Sequence, residues 1–130
     1  MIVLDASAAL EWLLRTRVGM RIDERIYSRG ESLHAPHLID LEVAQVLRRL
    51  VRNGHLSPVR AGEAVEDLVC LDIRRYPHTK LLPEVWQYRH TLSAYDAAYV
   101  VLTETLGATL ITCDTRLAAA HGHGAQVELF

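Results

Sequence analysis

The chain has 130 residues, half of them hydrophobic and 23% charged, with a formal net charge of -2 and two cysteines. A chain of this length can bury roughly two thirds of its unfolded surface without covalent staples, so residues 1–130 are expected to form one domain. The slightly negative charge excludes a protein that grips nucleic acid through an overall basic field, while leaving room for an acidic pocket whose local sign a divalent cation reverses.

No basic-then-apolar leader opens the chain, and no apolar run approaches the roughly 20 residues of a membrane span, so neither a signal peptide nor a transmembrane helix is expected. Cys70 and Cys113 each lie in an apolar run without a CxxC pair. They are expected as small buried hydrophobes, in keeping with a reducing cytoplasm. Lys80 is the only lysine; arginine offers a planar fork suited to phosphate, although a compositional bias of the genome would give the same excess.

Ile2-Val3-Leu4 is an uninterrupted apolar run that predicts a strand buried on both faces, as in a parallel sheet. Asp5 ends it, and Ser7 is placed to cap a short helix over Ala8 to Arg15. Val18, Ile22 and Ile26 recur at spacing four and mark a second helix ending near Gly30. Ser32 to Ala35 is a short strand closed by Pro36, and Leu38 to Arg52 a long helix with Val43, Leu47, Leu50 and Val51 on one side.

Ser57-Pro58 is a cap followed by proline at the first helical position, opening a helix to about Val69. Leu71-Asp72-Ile73 is a weak strand stopped by Arg74-Arg75-Tyr76-Pro77, and Leu81 to His90 an amphipathic helix. Ser93 starts a helix that stops at Gly107, and Ala108 to Thr112 is the second buried strand, with Asp114 just beyond it. A helix from Thr115 to about Ala120, a loop at His121-Gly122-His123-Gly124 and a strand from Gln126 to Leu129 complete the chain. Strands alternating with helices predict an α/β domain with a doubly wound, mainly parallel sheet and helices on both faces.

Four acids stand where such a fold builds its sites: Asp5 and Asp114 after the two strong strands, Glu42 and Asp96 near the starts of two helices. Each has a structural alternative. Asp5 and Asp114 could cap the helices that follow, Glu42 could complement a helix dipole, and Ser93-x-x-Asp96 has capping-box spacing. Together, ionised carboxylates brought to one edge would repel unless a cation were shared, and all-oxygen ligation selects Mg²⁺ or Mn²⁺. No serine-histidine-aspartate set, Walker loop or dinucleotide fingerprint competes. A receiver-like phosphorylation module fails because the third strand ends in Arg74-Arg75-Tyr76 and the last has no lysine; Asp5-Ala6-Ser7 lacks the second acid of a DxD phosphatase.

Four segments, Ile2 to Ala8, Leu41 to Leu47, Leu92 to Tyr99 and Leu110 to Leu117, resemble in order the acid-bearing motifs of the PIN domains, and within them the VapC toxins of toxin-antitoxin pairs. The resemblance implies an Mg²⁺- or Mn²⁺-dependent endoribonuclease of the cytoplasm that hydrolyses RNA with a metal-activated water. It implies a homodimer, restrained by a cognate VapB-like antitoxin, in a toxin-antitoxin complex of that size or larger. Asp5, Glu42, Asp96 and Asp114 would then hold metal, and Ser7 and Thr112 would orient an acid or a water. Some PIN nucleases carry a further acid just beyond the fourth, where this chain has Arg116 nearby, which leaves one or two metals open.

Arg89, Arg48 and Arg52 are candidates for RNA backbone contact, against the alternative of solvated helix-face arginines. Trp12, Trp86 and Tyr99 are expected in the core or at a dimer contact, and His121 and His123 in a plain loop. The remaining alternative is a catalytically weak or inactive PIN fold that serves as a partner-binding module.

Overall fold

In the computed structural model, which describes residues Met1–Phe130, the apolar run Ile2–Leu4 forms β1, with all three residues buried. It is the middle strand of a five-stranded, wholly parallel sheet in the order β3-β2-β1-β4-β5, where β2 is Leu33–Pro36, β3 Ile73–Tyr76, β4 Thr109–Thr112 and β5 Gln126–Leu129. Burial on both faces is why the centre is continuously apolar while the edge strand β3 mixes Ile73 with Arg74 and Arg75. Leu4 lies in register with Ile111. That pairing brings Asp5 beside the residues that leave β4.

The chain runs outward from β1 through β2 to β3, then returns past β1 to β4, so the order reverses between β1 and β4. Open α/β sheets build their ligand crevices beyond the carboxyl ends of the strands at such a point. Right-handed crossovers put α1 (Ala6–Leu13), α2 (Arg17–Ser28), α3 (Leu38–Arg52) and α4 (Pro58–Cys70) on one face. They put α5 (Leu82–Gln87), α6 (Ala94–Leu106) and α7 (Thr115–Ala118) on the other. No helix is long and apolar enough to cross a membrane.

Local chemistry sets several boundaries. Ser57 Oγ accepts the Arg60 N–H at 3.1 Å at the start of α4, and Gly107 ends α6 in the left-handed region at φ 59°. Thr16 caps α2, accepting the Gly19 N–H at 3.0 Å. Gly19 packs so closely on α1 that a Cβ there would stand 1.9 Å from the Glu11 carbonyl oxygen.

Other boundaries differ from the sequence expectation. α1 begins at Ala6, so Ser7 lies inside its first turn and Asp5 holds the N-cap position without a side-chain cap bond. β2 includes Pro36, which pairs with Tyr76 where β1 has already ended, so no β1 partner is deprived by its missing N–H. β3 begins where it was expected to finish. Leu71 and Asp72 form the turn out of α4, and the charges of Ile73–Tyr76 are accommodated at an edge, with Arg75 Nε donating to both Asp40 oxygens at 2.9 Å. α5 stops at Gln87 because the chain then tightens into i to i+3 bonds, Tyr88 N–H to Val85 O and Arg89 N–H to Trp86 O. Cys70 is exposed and Cys113 half-buried, so neither is the core hydrophobe expected.

Candidate active site

Asp5 is among the few buried charged residues, at 6% exposure. Its Oδ2 accepts hydrogen bonds from the Ser7 hydroxyl and, at 2.8 Å, from the Thr112 hydroxyl. Each hydroxyl is itself anchored by the chain leaving β4: Ser7 Oγ accepts the Cys113 N–H at 2.9 Å, and Thr112 Oγ1 the Asp114 N–H at 3.0 Å. Asp5 is therefore fixed from beneath by residues more than a hundred positions away, and its Oδ1 has no protein donor. Ser7 and Thr112, both expected at the edge of the site, are brought to Asp5.

Asp114 caps α7, its Oδ1 accepting the backbone N–H groups of Arg116 and Leu117. Partial burial alone would raise its pKa, but these bonds and the Arg116 guanidinium, 3.1 Å from Oδ2, hold it below the usual carboxylate range. Asp96 lies in the first turn of α6, where its own N–H donates to Ser93 Oγ at 3.1 Å. Its carboxyl is pushed up, first by burial and then by Asp114 and Asp5. The cap at this helix is the serine, whose side-chain hydrogen bond, with the charge of Arg116, works against that upward push.

Glu42, in the second turn of α3, is the most perturbed of the four. Burial first, and then the charges of Asp5 and Asp96, push it up to about 7, against a long hydrogen bond from the Tyr99 hydroxyl at 3.5 Å. Tyr99 is fully buried, as expected. Cys113 is likewise pushed up to about 11, by burial and then by Glu11 and Asp5, which leaves its thiol protonated at neutral pH.

All four acids and Ser7 line one cleft of about 870 Å³. No three acids yet converge closely enough to make a finished set of ligands. The four acids nevertheless offer only oxygen, and two of their carboxyls, Glu42 and Asp96, are held above their ordinary values by burial and then by the charges of neighbouring acids. A hard divalent cation fits that donor chemistry, since it would relieve the repulsion.

The arginines fall differently from expectation. Arg48 and Arg52 are exposed on α3 but do not line the cleft, and Arg89 donates to the Trp86 carbonyl and stacks its guanidinium 5.2 Å above the Trp86 ring. Arg49 and Arg116 are the cations that do line it. At about 100° per residue, Arg49 is seven positions and nearly two full turns beyond Glu42, whereas Arg48 and Arg52 are rotated well away. That arithmetic was available in the sequence. Glu11 and Tyr95, also on the cleft, carried no comparable signal.

A parallel α/β domain with an acidic crevice at its switch point is the class this geometry defines. The PIN domain profile matches residues 2–122. Over 129 residues, 99% of this chain and 98% of the relative, the sequence is 43% identical to ribonuclease VapC12 of Mycobacterium tuberculosis. Among crystal structures, PAE2754 from Pyrobaculum aerophilum is similar with a TM-score of 0.70 and 23% identity, covering 97% of this chain and 81% of that one. VapBC2 from Rickettsia felis, solved bound to a DNA fragment from its promoter, has a TM-score of 0.64 and 10% identity over 99% and 98% of the two chains. This chain belongs to the PIN-domain family, and within it to the VapC ribonucleases.

Proposed function

We propose that this chain is the endoribonuclease toxin of a VapBC-type pair, hydrolysing RNA phosphodiesters at the acidic cleft with Mg²⁺ or Mn²⁺. The observation that carries the reading is the arrival of Asp5, Glu42, Asp96 and Asp114, from four separate elements, at one crevice beside the β1/β4 switch point. These four residues would hold the cation, which, when bound, lowers the pKa of a water and neutralises charge developing on the phosphate.

The chain's own contribution is preorganisation. Ser7 and Thr112 keep Asp5 aimed, Asp114 is held charged by α7 and Arg116, and the carboxyls of Glu42 and Asp96, both pushed up first by burial and then by neighbouring acids, are the ones a bound cation would relieve. An inactive fold would have no use for two carboxyls maintained at this electrostatic cost, which favours the enzyme over a module that only binds partners.

The protein is read as one cytoplasmic domain acting on RNA, paired with a VapB-like antitoxin. We read it as a homodimer, with the exposed ring of Trp86 on α5 as a candidate contact for the second copy. The test is cleavage of a mixed RNA pool with Mg²⁺ or Mn²⁺. Asp5→Asn and Asp96→Asn are each expected to lose activity, by more than the roughly 10- to 100-fold typical of outer-shell changes. Equal cleavage by wild type and both variants refutes the assignment.

A further inference from the structure

The cleft is acidic at its floor yet must accept a polyanion, so the few groups on its walls that can attract RNA carry unusual weight. Its lining contains two cations, Arg49 and Arg116, and one exposed aromatic ring, Tyr95. Arg49 rises from α3, about 10 Å along the helix from Glu42, and takes part in none of the chain's ion pairs. Arg116 stands on α7. Because α3 follows β2 and α7 follows β4, the two arginines flank Asp5, which ends the strand between them.

Arg116 is 86% exposed, and a single guanidinium nitrogen, Nη2, is engaged with Asp114 Oδ2. That bond orients the group and leaves its other donors available for phosphate oxygens. Tyr95 is the residue before Asp96, in the first turn of α6, and its side chain is 63% exposed at the cleft rim. An aromatic face beside a line of phosphate-binding groups is how unpaired nucleic acid is held without sequence readout.

We propose that Arg49 and Arg116 seat the phosphates on either side of the scissile one, and that Tyr95 stacks a base of the bound strand. This rests on the ribonuclease reading above. The three side chains are positioning residues, not metal holders, and replacing them leaves the four acids in place. In Arg116→Ala, the backbone N–H groups that bond Asp114 Oδ1 remain.

The test measures binding of a fluorescent, unstructured RNA oligomer by anisotropy across a salt series, in an Asp96→Asn background that does not cut it. Arg49→Ala and Arg116→Ala should each flatten the slope of log affinity against log salt by about 0.7, the share of one phosphate contact on a single strand. Arg49→Lys should restore the slope. Tyr95→Ala should weaken binding roughly 5- to 150-fold without moving the slope, and Tyr95→Phe should bind like its parent. Arg29→Ala, beyond the amino edge of the sheet, serves as the control.

Parental salt slopes in both arginine variants overturn the phosphate seats. A Tyr95→Ala protein that binds RNA normally but sediments at a different mass overturns the base stack, assigning the ring to protein contact. If wild type cuts RNA while all three variants bind it normally, this inference alone falls. An RNA pool neither cut nor bound removes the ribonuclease reading with it.

Discussion

Replacing Glu42 by glutamine should make the metal-free protein more stable at alkaline pH and change it little in acid. The carboxyl is pushed from its ordinary 4.5 up to about 7 by burial and by Asp5 and Asp96. A folded-state pKa above the unfolded value means that folding takes up a proton between those two pH values. Stability from this group is therefore full below about 4.5, falls through the window and is gone above 7.

At about 1.36 kcal/mol per pH unit, the ceiling on the loss is about 3.4 kcal/mol. Glu42 is only half-buried, and water in the cleft screens its neighbours, which brings the expected value to about 1.5 kcal/mol. Glutamine keeps the shape and an acceptor for the Tyr99 hydroxyl while removing the charge. Thermal melts in chelator should show Glu42→Gln about 5 °C above wild type at pH 8. At pH 5 the advantage should shrink to roughly a quarter of that. A variant less stable than wild type at pH 8, or a gain equal at both pH values, would refute the electrostatic argument and point to packing.

Thr112→Val removes a fully buried hydroxyl that donates to Asp5 and accepts from Asp114 N–H. Urea denaturation should show a loss of about 1–3 kcal/mol, and an unchanged midpoint would contradict the anchoring role. Gly19→Ala places a Cβ against the Glu11 carbonyl, where backbone rather than a flexible side chain must move. It should cost about 3 kcal/mol or more by the same assay, and a neutral result would mean that α1 and α2 are not packed this closely. Mg²⁺ or Mn²⁺ at a hundred times its Kd should stabilise the protein by about 2.7 kcal/mol. The gain should be smaller in Asp114→Asn; melting curves indifferent to both metals would count against a shared cation.

Much of this architecture was legible in local sequence. The apolar run of β1, the Ser57-Pro58 start of α4 and the Gly107 stop of α6 depend on neighbours within one turn, and they fall where the residues indicate. The misread boundaries share a cause. Arg74-Arg75-Tyr76 looks like a strand stop until its edge position and the Asp40 partner are known, and Ser7 looks like a cap until a strand from the far end of the chain supplies its other bonds. Cys70 follows an apolar residue but ends a helix whose outer face meets solvent, which no local apolar run reveals.

By itself the sequence determined the four acids and the elements that carry them, because strand burial, helix capping and side-chain periodicity act over a few residues. Only the tertiary structure decided that β1 and β4 are neighbours, since strand order depends on crossovers spanning most of the chain. From that adjacency follow the Thr112 bond to Asp5 across 107 positions and the arrival of Asp114 and Arg116 at the cleft that Asp5 lines. These are properties of distance and burial, which exist only once the sheet has closed its order.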